Sequence, residues 1–185
     1  MLAYQTGDGA AFEVLYGRWR GRLYRYLLHQ CGQAAWAEEL YQDVWLKVIG
    51  AREHYEVAAK FSTWLFRIAR NRLIDHWRSA GKATEESLDG FEGEDDELPL
   101  DARVELAASG EETPSRLLER KGLAEKLVAA VNALPAVQRE AFLLAEEGGM
   151  TLEEIAATTG TGRETVKSRL RYALAKLRAD LKEWR

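Results

Sequence analysis

The chain has 185 residues and a formal net charge of −4, a length that fits one large or two small domains. Hydrophobic residues make up 46% of it, which is enough for a packed core. No apolar run reaches the ~18 residues of a membrane span, and no signal peptide is visible. Cys31 is the single cysteine and cannot form an internal disulfide. These features predict a cytoplasmic protein without membrane insertion.

The charge is distributed unevenly along the chain. Residues 79–115 carry two basic residues against twelve acidic ones, a net of −10, so the remaining residues sum to +6. Positive charge is concentrated in residues 60–78, with a net of +4, and in residues 163–185, with a net of +5. Because a phosphate backbone responds to local charge, an acidic chain of this kind can still bind nucleic acid.

Apolar residues at three- and four-residue spacing predict helices over residues 8–30 and 36–50. The first has an aromatic stripe that is most simply core. The second has an acidic, amide-rich face. From chemistry alone a solvated face is the simpler interpretation, but neighbouring aromatic side chains favour a contact with another protein.

A third helix is predicted over residues 61–79, with Arg67, Arg70 and Asn71 on an outer stripe. Arginine and asparagine donate hydrogen bonds to phosphates and base edges, and Trp64 could stack on an unpaired base. A basic solvated face over a tryptophan-rich core is the alternative interpretation.

Residues 79–113 are acidic and have little periodicity, which predicts a flexible linker. It would separate an N-terminal domain, residues 1–78, from a C-terminal domain, residues 114–185. Helical spacing covers residues 114–134, and Pro135 suits the first turn of a further helix. We therefore predict an all-α fold of two small helical domains joined by a flexible acidic linker.

The end of the chain is predicted to form two short helices joined by a tight turn. Thr151 with Glu154 predicts a capping box, Gly160 ends the first helix, and Thr161 with Glu164 predicts a second capping box. The second helix has an apolar stripe and a basic outer face. This arrangement is typical of a DNA-binding helix-turn-helix, although two amphipathic surface helices would share the pattern.

The sequence offers no pattern for catalysis or metal binding. His29, His54 and His76 are scattered, Cys31 has no cysteine partner for a zinc site, and neither a P-loop nor a GxSxG turn is present. We expect no enzyme activity, no metal and no cofactor.

Three stretches together carry a family resemblance. They are AEELYQDVWLKV at residues 37–48, FSTWLFRIARNRLIDHWR at residues 61–78 and LPAVQREAFLLAEEGGMTLEEIAATTGTGRETVKSRLRYALAKLR at residues 134–178. In this order, with a spacer before the third, they resemble the bacterial RNA polymerase sigma factors of the sigma-70 family, specifically the extracytoplasmic-function group. One alternative is a free-standing helix-turn-helix transcriptional regulator that binds duplex DNA as a dimer. The other is a helical protein–protein adaptor whose basic faces bind acidic partners.

The resemblance implies the partners and their contact residues. Residues 1–78 would be sigma region 2 and residues 114–185 sigma region 4, which together bind core RNA polymerase at its clamp coiled coil and flap. The implied polymerase contacts are Glu39, Gln42, Asp43, Trp45 and Leu46. The implied contacts to the −10 promoter element are Lys60, Trp64, Arg67, Arg70 and Asn71. The implied contacts to the −35 element are Arg163, Glu164, Thr165, Lys167, Ser168, Arg171 and Tyr172.

Two of these residues have an open interpretation. Glu164 could cap its own helix as readily as contact DNA, and Tyr172 stands where many members of the family carry arginine. A cognate anti-sigma factor is a further partner that the resemblance allows.

Overall fold

A computed structural model describes the backbone of residues 1–79 and 114–182, and the side chains of residues 1–79 and 122–182. Within these ranges the chain forms helices and no β-strand, which confirms the all-α prediction. The helices are α1 (Leu2–Gln5), α2 (Gly9–Cys31), α3 (Ala34–Gly50), α4 (Phe61–Ser79), α5 (Pro114–Ala133), α6 (Ala136–Glu146), α7 (Leu152–Thr159) and α8 (Arg163–Asp180).

The predicted linker, residues 79–113, lies outside the described residues except for Ser79. Its flexibility and the domain boundaries around it therefore stay predictions. In the part of the chain that is described, no helix is both long enough and apolar enough to cross a membrane.

The first four helices form the N-terminal domain, in which α2, α3 and α4 pack on one another. Asp8 caps α2 by accepting the Ala11 N–H at 3.1 Å, and Gly32 ends it with a φ of +69°. The aromatic stripe of α2 packs in and against the core, as predicted. Tyr26 is fully buried. Phe12 and Tyr16 are partly buried against Trp45 of α3, whose ring centroid lies 5.9 Å and 4.9 Å from theirs.

The C-terminal domain packs α5, α6 and α7 around α8. The capping box at the start of α7 is confirmed, since the Glu154 N–H donates to Thr151 Oγ1 at 3.2 Å and the Thr151 N–H donates to the Glu154 carboxylate at 2.8 Å. Gly160 ends α7 with a φ of +71°, as expected for a left-handed cap. Buried side chains of α7 and α8 hold the two helices together: Ile155, Val166, Leu170, Ala173 and Leu177.

The second predicted capping box is wrong. Gly162 is the N-cap of α8, and no side chain caps it. Helix α8 therefore starts one residue later than predicted, and Glu164 occupies its second position rather than the third, which a capping box requires. The Thr161 hydroxyl instead lies 2.9 Å from that of Thr159.

Two glycines make the turn between α6 and the helix-turn-helix. A Cβ added at Gly148 would lie 2.6 Å from the Leu144 carbonyl oxygen, so a side chain there cannot be accommodated without a backbone shift. Gly149 has a φ of +60°, in the region that favours glycine. This turn fixes how α6 is placed against α7.

The two domains lie against each other. Helix α2 packs on α5 and α6, and α4 packs on α7. Their buried apolar side chains form one continuous cluster that runs from Leu23 in α2 to Leu177 in α8.

Candidate functional surfaces

One face of α3 is exposed and mixes polar with apolar side chains. Glu39, Gln42 and Leu46 are exposed at helical spacing, and Leu46 keeps 65% of its surface accessible. Ile49, which is 41% exposed, continues the same stripe by one turn. Sequence reasoning missed Ile49, because its apolar character resembles that of the core positions beside it. An exposed apolar pair on a polar helix face is typical of a protein-binding surface.

Two other predicted polymerase contacts, Asp43 and Trp45, do not lie on this exposed face of α3. Trp45 is only 5% exposed, and its ring lies in the aromatic core beneath the helix. The Asp43 carboxylate accepts a hydrogen bond from the guanidinium of Arg72 on α4. Both side chains therefore hold α3 in place, while Glu39, Gln42 and Leu46 face outward.

A second candidate surface is a stripe along α4. Lys60, Trp64, Arg67 and Asn71 follow one another at spacings of four, three and four residues, which places them on one side of the helix. Arg67 and Asn71 are exposed, and the Trp64 ring is partly exposed against Tyr55, with 5.0 Å between ring centroids. The arrangement combines positive charge, an amide and an aromatic face, as single-stranded nucleic acid requires.

Arg70 lies on the adjacent flank of α4 and faces the C-terminal domain. Its Nε donates to Glu140 Oε1 on α6 at 2.9 Å, and the two side chains are 13% and 12% exposed. On the same flank, the Thr63 hydroxyl donates to the Glu154 carboxylate at 3.0 Å. The Lys60 ammonium lies 3.4 Å from the other oxygen of that carboxylate. Two of the five predicted −10 contacts, Lys60 and Arg70, are therefore paired with glutamates of the C-terminal domain.

Helix α2 contributes further contacts between the domains. Arg25 donates to both carboxylate oxygens of Glu147, from Nε at 2.7 Å and from Nη2 at 2.8 Å. His29 Nδ1 lies 2.7 Å from Asn132 Oδ1. Sequence reasoning missed these residues, because the partners are 122 and 103 positions apart and no local pattern connects them.

The contacts between the domains change the acidity of the groups that make them. Burial by itself would raise the pKa of Glu154, but hydrogen bonds from the Thr151 backbone, Thr63 and Lys60 outweigh it and leave this pKa below its ordinary value. The hydrogen bond to Glu147 raises the pKa of Arg25 further above neutral pH. Both groups are therefore held in their charged forms.

The third candidate surface is the N-terminal half of α8. Arg163, Thr165 and Lys167 are exposed there, and buried Val166 and Leu170 anchor the opposite side. Arg163 donates to Glu153 at 2.6 Å and to Glu164 at 2.8 Å. Glu164 is therefore an exposed member of an ion-pair group and caps no backbone N–H of its own helix.

The last three predicted −35 residues lie further along α8. Ser168, Arg171 and Tyr172 are partly buried. The Arg171 guanidinium lies 5.0 Å from the centroid of the Tyr172 ring and donates to its hydroxyl at 3.3 Å. Tyr172 thus supports the orientation of Arg171 by a cation–π contact.

Among the side chains of residues 1–79 and 122–182, no three from histidine, cysteine or acidic residues lie close enough together to hold a metal ion. In the part of the chain that the structure describes, the exposed predicted contact residues lie on extended faces of three helices. Such faces suit macromolecular partners.

Comparison with known proteins identifies the family. Two family models match the chain, Sigma-70 region 2 over residues 15–83 and Sigma-70, region 4 over residues 124–177. The ECF RNA polymerase sigma factor RpoE of Cereibacter sphaeroides is 34% identical over 175 residues, which are 94% of this chain and 88% of that protein. The chain belongs to the extracytoplasmic-function (ECF) group of the sigma-70 family.

Two further matches each cover nearly the whole length of both proteins compared. The ECF RNA polymerase sigma factor SigL of Mycobacterium tuberculosis is 32% identical over 183 residues, covering 96% of this chain and 93% of SigL. The sigma factor RpoE from Bartonella quintana, solved in a co-crystal with the anti-sigma factor NepR, shares the fold with a TM-score of 0.64 and 24% identity. That match covers 95% of this chain and 99% of the other.

Family membership decides among the three functions that the sequence left open. Sigma factors are the RNA polymerase subunits that recognise promoters when transcription starts, and they are not enzymes. Because both sigma regions are present, the alternative of a free-standing helix-turn-helix regulator is set aside.

Proposed function

We propose that this sigma factor works in the cytoplasm, binding core RNA polymerase through α3 and promoter DNA through α4 and α8. The observation that carries the proposal is the stripe of Lys60, Trp64, Arg67 and Asn71 on one side of α4, in the domain that also presents the α3 face. A surface for single-stranded DNA beside a surface for another protein is what promoter opening by a polymerase subunit requires.

For polymerase binding, we assign the exposed face of α3, Glu39, Gln42 and Leu46, and add Ile49. Leu46 and Ile49 would supply apolar area at the centre of the contact, with the carboxylate and the amide at its rim. Asp43 and Trp45 would act indirectly, by holding α3 against α4 and α2.

For the −10 element, we assign Lys60 and Arg67 to the phosphates, Trp64 to stacking on a base, and Asn71 to a base edge. Arg70 would join them once its pairing with Glu140 is broken. For the −35 element, the exposed side chains at the start of α8 would enter the major groove, as the first turns of recognition helices do.

Two partners belong to the proposal by extension. Region 4 would contact the polymerase flap, and a cognate anti-sigma factor would bind the two domains. The anti-sigma proposal is supported by the solved complex of the Bartonella quintana sigma factor with NepR.

The proposal is tested by run-off transcription from a promoter library with core RNA polymerase. We expect transcripts that require this chain. Asn71→Ala should reduce promoter opening about tenfold without loss of polymerase binding, since a base contact is worth roughly 1–3 kcal/mol. Gln33→Ala, which removes an exposed amide before α3 and likewise changes no charge, is its control.

Glu39→Lys should weaken polymerase binding and leave the stripe on α4 intact. Glu13→Lys, an equal change of charge at an exposed site on α2, is the matched control. If Asn71→Ala and Glu39→Lys lose the same step of initiation, the division of roles between the two helices is incorrect.

A further inference from the structure

The short helix α1 is hydrogen-bonded to the loop between α3 and α4, residues 51–60. At the end of α1, the amide nitrogen of Gln5 donates to the Glu53 carbonyl oxygen at 3.1 Å and to the Tyr55 carbonyl oxygen at 3.2 Å. Both partners can only accept, so Gln5 uses both of its side-chain N–H groups on this one loop. The contacts span 48 and 50 positions of sequence, and no local pattern predicts them.

A second contact joins the same two segments. The Arg52 guanidinium of the loop lies 4.9 Å from the centroid of the Tyr4 ring in α1. The Tyr4 ring in turn lies 4.8 Å from that of Phe12 on α2, and Phe12 packs against the core of the domain. Helix α1 is therefore attached to the core independently of the loop, and it can hold the loop in place.

The backbone hydrogen bonds inside the loop are short-range. The His54 N–H donates to the Ala51 carbonyl at 3.2 Å, and the Ala58 N–H donates to the Glu56 carbonyl at 3.0 Å. Bonds between residues two or three positions apart shape a turn, but they do not fix where the turn lies relative to the surrounding helices. The position of the loop depends on contacts from outside it, and Gln5 supplies two of them.

The residue that Gln5 holds lies against a residue assigned above to the −10 element. Tyr55 is only 7% exposed, and its ring packs edge-on against Trp64 of α4, with 5.0 Å between centroids and 74° between the ring planes. Phe61, at the start of α4, lies 6.5 Å from the Tyr55 ring and 5.7 Å from the Trp64 ring. The partly exposed Trp64 ring thus has Tyr55 and Phe61 as its support.

We propose that Gln5 is a positioning residue for Trp64 and acts through Tyr55. By holding the Tyr55 backbone, Gln5 keeps the Tyr55 ring where it sets the angle of the Trp64 ring. An aromatic ring that is already oriented loses less rotational freedom when a base stacks on it, so the base binds more tightly. The stacking part of the proposal rests on the function assigned to α4 above, whereas the positioning of Trp64 does not.

A purely structural role for Gln5 has different consequences. If Gln5 only attached α1 to the domain, its loss would lower stability and leave the Trp64 ring where it is. A positioning role predicts a change at Trp64 in a domain that stays folded. The experiments below therefore observe Trp64 itself.

The first test uses neither polymerase nor DNA. The full chain is labelled with 5-fluorotryptophan, and the ¹⁹F signal of Trp64 is assigned by its loss in Trp64→Phe. Gln5→Met removes both donors and keeps the length and charge of the side chain. It should shift or broaden the Trp64 signal, while an unchanged signal from Trp36, at the start of α3, shows that the domain is folded.

The matched control is Gln33→Met. Gln33 is exposed and makes no capping hydrogen bond with its side chain, so the same chemical change there should leave the Trp64 signal in place. A Trp64 signal that is unaffected by Gln5→Met, or equally affected by Gln33→Met, would overturn the proposal.

A double-mutant comparison tests the route through Tyr55. Tyr55→Leu removes the ring that supports Trp64 and should itself move the Trp64 signal. In this background, adding Gln5→Met should change the signal little further, because the two residues act on Trp64 in series. Full and additive shifts from the two changes would show that Gln5 does not act through Tyr55.

The last test measures base preference, with core RNA polymerase and a library randomised in both promoter elements. Gln5→Met should weaken the preference at the −10 element about fivefold, a part of what one stacked base contributes, and leave the −35 preference unchanged. Equal weakening at both elements would overturn the proposal, because it would indicate a general loss of folding or assembly. If the Trp64 signal moves and the −10 preference does not, the stacking role given to Trp64 fails while its positioning by Gln5 stands.

Discussion

Arg72 on α4 donates a hydrogen bond to the carboxylate of Asp43 on α3. The two side chains are 29% and 33% exposed, so the pair is partly shielded from solvent. It ties the helix assigned to polymerase to the helix assigned to DNA.

Asp43→Asn should therefore lower the free energy of unfolding, by up to about 1 kcal/mol for a pair at this depth. Urea denaturation measures the change. Glu39→Gln, on the exposed face of the same helix, is the control and should leave stability unchanged. Equal stability of the two variants would mean that the Asp43–Arg72 pair contributes nothing to the packing of α3 on α4.

Capping is predicted to differ between the two helices of the helix-turn-helix. Thr151→Ala removes the side chain that caps α7 and should cost about 1 kcal/mol. Glu164→Ala should cost little, because Glu164 caps nothing and is exposed at the start of α8. Thermal unfolding of the two variants checks the contrast. A larger loss for Glu164→Ala than for Thr151→Ala would contradict the assignment of the caps.

The stability of the chain should fall in acid through Glu154. Its pKa in the folded chain lies below the ordinary value, so its contribution is complete above the ordinary carboxyl pKa and is lost as the pH falls through the lowered one. Chemical denaturation between neutral and acidic pH measures the slope. Glu154→Gln should make the slope shallower, since glutamine does not titrate. A slope unchanged by this substitution would assign the acid sensitivity to other carboxylates.

The thiol of Cys31 should react slowly with alkylating reagents. Burial raises its pKa to about 11, so its thiolate fraction near neutral pH is lower than that of a free cysteine by roughly a hundredfold. Alkylation by iodoacetamide measures this directly, because the chain contains no second cysteine. In urea the rate should rise to that of a free thiol. A fast reaction in the folded chain would place the thiol in a more exposed or more positive environment.

Local patterns were enough to predict most of the helices. The capping box of Thr151 and Glu154 joins residues three positions apart, and the aromatic stripe of α2 repeats at helical spacing. Both signals lie within a few residues of sequence. The second box failed because Gly162 competes with Thr161 for the N-cap, and both residue types are tolerated there.

The contacts between the domains could not be predicted in this way. Arg70 and Glu140 belong to helices on either side of a long acidic segment, and nothing in their neighbourhoods relates one to the other. The sequence predicted that Arg70 contacts −10 DNA, from its charge, its helix face and the family resemblance. That its partner in the structure is Glu140 depends on how the two domains pack.

The glycine turn after α6 has a consequence for variation in this chain. It sets the register of Glu140 and Glu147, which precede it, relative to Glu154, which follows it. A side chain at position 148 would move α6 relative to α7 and spoil the fit of three carboxylates to three cations at once. A substitution at position 148 would thus weaken the contact between the two domains although it lies outside every surface assigned to DNA or polymerase.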